Sequence, residues 1–146
     1  MNCYVLSHSI LLLLLLAVCH GKIYSRCDFA KEMKKSGVKS LAQLGTWTCI
    51  AKHESGFNTN AINRKTGDYG ILQISEKFWC SNSKKAGKGC NITCKSLLSK
   101  GISGDIKCAK HVFAETKNHN PDGFTAWVAY NKCRGNQLSW VKGCGL

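Results

Sequence analysis

Eight carboxylates stand in this chain: Asp28, Glu32, Glu54, Asp68, Glu76, Asp105, Glu115 and Asp122. Two carboxyl groups can divide acid–base work when their surroundings differ. One is kept protonated and gives a proton; the other stays ionised and attacks or stabilises positive charge. Breaking a glycosidic bond needs that division. Asp28 and Asp105 have plainer readings, because each falls in the first turn of a helix, where negative charge suits the helix dipole. Glu32 sits among lysines on a solvated helix, and Asp122 lies in a loop. Glu54 stands apart. Trp47, Ile50, Ala51 and Glu54 recur at i, i+3, i+4 and i+7, one face of a helix that Gly56 can stop. Burial on that face and the negative helix end both disfavour a charged carboxylate and raise its pKa. Such a group suits a general acid near neutral pH. On pattern alone, a Glu54 that reaches solvent from the helix end is an equal reading. Asp68 lies in "AINRKTGDYGILQIS", residues 61–75, where a basic turn meets an apolar strand. Asp beside Gly is ordinary turn chemistry, and locally that reading wins.

The elements that must position these two acids are legible in outline. "SRCDFAKEMKKSG" reads as a first helix with Ser25 as its cap and Gly37 as its end. "SLAQL" follows, with Ser40 and Gln43 spaced as a capping box, and then "TWTCIAKHESG", the helix that carries Glu54. Residues 61–75 form a short hairpin. Residues 80–100 are loop-like, rich in Gly, Ser, Asn and Lys. "SGDIKCAKHVFAETK" is a further helix, with Ser103 as cap, and "GFTAWVAYNKCRG" another, closed by Gly135. The single proline, Pro121, marks a loop. Helices flanking one small sheet give an α+β class.

The length fits one domain preceded by a leader. "SILLLLLLAVCHG" is apolar, too short to span a bilayer comfortably, and ends in small residues. Residues 1–21 therefore read as a secretory signal, although no Lys or Arg precedes the apolar run. The domain is then 22–146, exported, with no further membrane span. It retains Cys27, Cys49, Cys80, Cys90, Cys94, Cys108, Cys133 and Cys144, an even set that implies disulfides outside the cell. Spacing alone does not choose the pairing. Zinc is the weaker reading of "CNITC" with His111 downstream, and no cofactor is expected. The 21 Lys and Arg against eight acids give a net charge of +13, a surface that attracts polyanions. No nucleic-acid-binding signature accompanies it, so specific nucleic-acid recognition is not expected. "HESGF" lacks the second histidine of the zinc-protease motif, and "AGKGC" lacks the form of a phosphate loop.

"KIYSRCDFAKEM", "KHESGFNTNA", "DYGILQIS", "FWCSN", "CNITC" and "AWVAY", in this order with the eight cysteines, closely resemble the chicken-type (c-type) lysozymes over nearly all of 22–146. The resemblance implies a two-lobed fold, one lobe helical and one holding a small antiparallel sheet, with a cleft between. It implies bridges Cys27–Cys144, Cys49–Cys133, Cys80–Cys94 and Cys90–Cys108. It implies hydrolysis of the β-1,4 link between N-acetylmuramic acid and N-acetylglucosamine in peptidoglycan, with retention, and chitin oligosaccharides as further ligands. Glu54 matches the general acid and Asp68 the carboxylate at the anomeric carbon. Asn63, Ser75, Phe78, Trp79, Ala126 and Trp127 match substrate-side positions. A secreted, bacteriolytic monomer is the expectation. A catalytically impaired sugar-binding or cationic antimicrobial protein is the alternative.

Against the family pattern, the hairpin "NRKTGDYG" is a few residues shorter, which leaves Asn63 facing Asp68 around a rebuilt turn. Ser75 replaces an asparagine that supports the catalytic aspartate. Phe78 keeps the stacking surface of an aromatic pair but offers no indole N–H. The loop 115–124 is longer and "WVAYNKC" slightly shorter. A calcium site, as in the alpha-lactalbumins, is not expected: Ser99 and Gly104 stand where carboxylates are needed, leaving Asp105 nearly alone. Asn91-Ile92-Thr93 is a possible glycosylation site, though an unmodified loop tightened by its cysteines is the preferred reading.

Overall fold

The computed structural model describes residues 21–146, so the expected leader lies outside it except for Gly21. Three helices, α1 (Arg26–Lys35), α2 (Leu41–Ser55) and α3 (Ser103–Lys117), stand beside a three-stranded sheet of two-residue strands. The strands are β1 (Ile62–Asn63), β2 (Asp68–Tyr69) and β3 (Ile74–Ser75), antiparallel in that order. Short 3-10 helices follow at Cys94–Leu98, Gly123–Ala126, Val128–Lys132 and Leu138–Trp140. This is the expected α+β arrangement of a helical lobe and a small sheet lobe. Among the described residues, no helix is long and apolar enough to cross a membrane.

Local chemistry explains where the first helices start. The Ser25 hydroxyl accepts from the Asp28 amide, and the Ser40 hydroxyl accepts from the Gln43 amide. Gly56, at φ 62°, closes α2 in the left-handed region that glycine adopts without a Cβ penalty. "SLAQL" and "TWTCIAKHESG" are one continuous helix, not two pieces. Gly45 between them is a point of contact, because a Cβ there would lie 2.4 Å from the Gln137 carbonyl oxygen. Phe29, Met33, Leu44, Ile50, Ile106 and Val112 fill the core between the three helices, and Ile71, Leu72 and Ile74 extend it under the sheet.

Two expectations are corrected. Ser103 does not cap α3: it is the helix's first residue, and the capping position is Ile102, which has no side chain to do so. "GFTAWVAYNKCRG" is not one helix. It breaks into two 3-10 turns around an extended Trp127 (φ −103°, ψ 125°). The extended residue turns its indole inward, perpendicular to Trp47 at 4.8 Å between ring centroids. The indole N–H then donates to the Leu72 carbonyl at 2.9 Å. A continuous helix would have to give up these inward contacts.

All four bridges that the resemblance implied are present: Cys27–Cys144, Cys49–Cys133, Cys80–Cys94 and Cys90–Cys108. Cys49–Cys133 ties α2 to the segment that follows Trp127. Sulfurs of Cys49 and Cys133 lie with a His53 nitrogen inside 4.8 Å, the spacing of a metal site. Both sulfurs are spent in the disulfide, so the group offers no thiolate. The cysteines of "CNITC" are likewise bonded, each to a different partner.

Candidate active site

Glu54 sits on the last turn of α2, half-buried, with its carboxylate in a cleft of about 520 Å³. The opposite wall is β1 and the turn after it, through Ile62, Asn63, Arg64 and Lys65. Burial pushes the Glu54 pKa above the usual carboxylate value. The Ala129 amide, donating to Oε1 at 3.1 Å, pulls it partly back. The negative charge of Asp68 adds a smaller upward push, which places the two acids within electrostatic reach. The neighbouring Ser55 hydroxyl spans the lobes, bonding the Ala51 carbonyl at 3.1 Å and the Ile71 carbonyl at 2.7 Å. The end of α2 is thus pinned to the sheet one residue beyond the acid.

Asp68 occupies the central strand, opposite Asn63 on one side and Ser75 on the other. The shortened turn still closes. The Asn63 side chain accepts from the Lys65 amide at 3.1 Å, and its carbonyl accepts from the Gly67 amide at 2.8 Å. Thr66 in that turn donates its hydroxyl to Asp68 Oδ2 at 2.5 Å. The Ser75 hydroxyl points elsewhere and accepts from the Lys77 amide at 3.2 Å. Within the described residues, the side-chain support of Asp68 therefore comes from its own turn. Thr66 was not singled out from sequence, although a threonine two residues before the acid in a tight turn is a readable signal. Ala129 left none, because it acts through a backbone amide.

Residues 22–144 match the model of the C-type lysozyme/alpha-lactalbumin family. The chain belongs to this family. It is 44% identical to "Lysozyme C-1" of Anas platyrhynchos over 142 residues, covering 91% of this chain and 93% of that protein. It is 45% identical to "Lysozyme C-1" of Sus scrofa over 133 residues, covering 86% and 100%. The crystal structure of a lysozyme from Litopenaeus vannamei superposes with a TM-score of 0.73 at 38% identity, over 86% of this chain and 98% of that one. Membership and the paired acids together support a lysozyme-type glycoside hydrolase, in a family that also holds the alpha-lactalbumins.

The other lysozyme-like positions fall in different settings. Phe78 is 58% exposed, and Trp79 beside it is half-buried. Ala126 is exposed at the end of its 3-10 turn. Trp127 is only 5% exposed, and its indole N–H is already bonded to Leu72, so it braces the lobes from inside. Asn91 is exposed at φ 51°, while the Thr93 hydroxyl caps the Cys94–Leu98 turn. In the segment where relatives of the alpha-lactalbumin type hold calcium, the Ser99 hydroxyl bonds the Gly101 carbonyl and Asp105 is buried.

Proposed function

We propose that this protein is a secreted, monomeric hydrolase that lyses bacteria. It cuts the β-1,4 links between N-acetylmuramic acid and N-acetylglucosamine in peptidoglycan. The observation that carries this reading is the asymmetry of the two acids. Glu54 lines the cleft, half-buried with a raised pKa, and Asp68 lies on the central strand paired with Asn63 of the opposite wall, with only a threonine hydroxyl on it. Glu54 gives its proton to the glycosidic oxygen as the bond to the anomeric carbon breaks. Asp68 attacks or stabilises that carbon. Glu54, now ionised, takes a proton from water, which attacks the carbon from the face the leaving sugar vacated. The configuration is retained. Lysozyme is the type case of this carboxylate pair, so the division of roles is the family's. Phe78 and Trp79 offer aromatic faces to the sugar rings, and Asn63, Ser75 and Ala126 offer polar groups at the rim. Trp127 serves by holding the lobes in register. Short chitin oligosaccharides fit the same subsites. The +13 charge favours approach to anionic cell walls. Four disulfides suit an oxidising, extracellular setting. Asn91 is read as unmodified.

The test is clearing of a Gram-positive cell-wall suspension between pH 4 and 8. Glu54→Gln should abolish clearing while binding of chitotriose survives. A folded wild-type protein that clears nothing, or a fully active Glu54→Gln variant, would overturn the reading. The alternative, a sugar-binding or cationic antimicrobial protein, gains from one observation: Ser75 gives Asp68 no side-chain support. Bacterial killing unchanged in a Glu54→Gln/Asp68→Asn double variant would favour that alternative.

A further inference from the structure

Trp79 is gripped from two sides that the catalytic reading does not use. One is the loop before Cys90. A Cβ on Gly89 would lie 2.5 Å from Cε3 and 2.8 Å from Cζ3 of the indole, so only glycine lets that backbone rest on the ring. Backbone bonds from Gly89 to the Phe78 carbonyl (3.0 Å) and from Cys90 to the Trp79 carbonyl (2.9 Å) fix the loop against the aromatic pair. The other is His111 on α3. Its ring stands perpendicular to the Trp79 indole with centroids 5.8 Å apart. Behind these groups a cavity of about 440 Å³ separates the loop from α3, lined by Gly89, Asn91, Ile92, Lys107 and His111. Gly89 and His111, the two groups set against the indole, both border this cavity.

We infer that His111 is a positioning residue for sugar binding, holding the Trp79 ring against Gly89 so that it is presented to the substrate in one orientation. The inference rests on the proposed sugar-cleaving function. An aromatic ring that binds sugar by stacking must lose little orientational freedom on binding, and a perpendicular partner ring removes that freedom beforehand. His111 is itself exposed.

Two variants test this: His111→Ala and His111→Phe. Chitotriose affinity, followed by calorimetry, should weaken about 2- to 10-fold in His111→Ala and return in His111→Phe, which restores the ring without the charge. On chitohexaose, the His111→Ala loss should appear in KM, not in kcat. Wild-type affinity in His111→Ala, or no recovery in His111→Phe, overturns the positioning role while leaving the proposed function intact. If wild-type protein binds no chitotriose, the proposed function and the positioning role fall together.

Discussion

The two carboxylates differ in what holds them. Glu54 has a backbone amide on one oxygen and the apolar face of α2 behind it, so its setting is set by the fold. Asp68 depends on a single side chain two residues away. Thr66→Val keeps the shape of that side chain and removes the 2.5 Å bond to Oδ2. A hydrogen bond to an ionised group contributes about 1.5–3 kcal/mol when well formed, and less when exposed to water as here. We expect kcat/KM on chitohexaose to fall about 5- to 30-fold. The melting temperature should stay close to wild type, because the turn keeps its backbone bonds. Equal activity in Thr66→Val would mean that strand pairing with Asn63 and Ser75 alone aims the carboxylate.

Among the elements, α2 does most to position the site, and its N-terminal half rests on one glycine. Gly45→Ala improves helix propensity by about 1 kcal/mol. It also puts a Cβ 2.4 Å from the Gln137 carbonyl oxygen, and neither backbone can yield cheaply. Overpacking of this kind costs about 1–3 kcal/mol, so strain wins. The variant should melt several degrees lower by circular dichroism; a higher melting temperature would show that residues 136–140 move aside freely. Gly45 also marks where the sequence stopped being informative. Caps at Ser25, Ser40 and Gly56 were readable because each acts on amides or carbonyls within a few residues. The helical period of its apolar stripe made a buried Glu54 one of two equal readings, and the structure leaves it half-buried. The split of 123–132 into two turns was not, since it follows from Trp127 meeting Trp47 and Leu72, partners far away in the chain. Asp68 was locally a turn residue; only the wider likeness to lysozymes picked it out. The family pattern showed only that Ser75 replaces the asparagine that supports this aspartate, and the hydroxyl that reaches Asp68 belongs to Thr66.

At the scale of the whole molecule, one acid connects the helical lobe to the sheet lobe. Asp105 reads from sequence as a first-turn residue suited to the helix dipole, yet it is 1% exposed and its carboxylate faces Gly70 of the sheet lobe. A Cβ on Gly70 would lie 2.6 Å from its Oδ2, and Gly70 also takes up the positive φ (80°) that the chain needs there. The amides of Ile71 and Asp105 lie near enough to favour the anion a little, but neither oxygen completes a hydrogen bond. Burial dominates and pushes the pKa up to about 8, from an ordinary 3.8. The sign follows from linkage. Below about 4 the group is protonated in both folded and unfolded chains, and its contribution is at its most favourable. Between about 4 and 8 the unfolded chain ionises first, so stability falls by at most about 1.4 kcal/mol per pH unit. Above about 8 both forms are ionised and the loss is complete. Asp105→Asn removes this slope while keeping the shape. The stability difference between variant and wild type should therefore grow in the variant's favour from pH 4 to pH 8 and level off beyond. Denaturant unfolding at pH 4, 6, 8 and 9 measures it, and the other carboxylates, Glu54 included, cancel in the difference. A difference that stays flat with pH would mean that Asp105 keeps an ordinary pKa, and that water or a local opening reaches it behind Gly70.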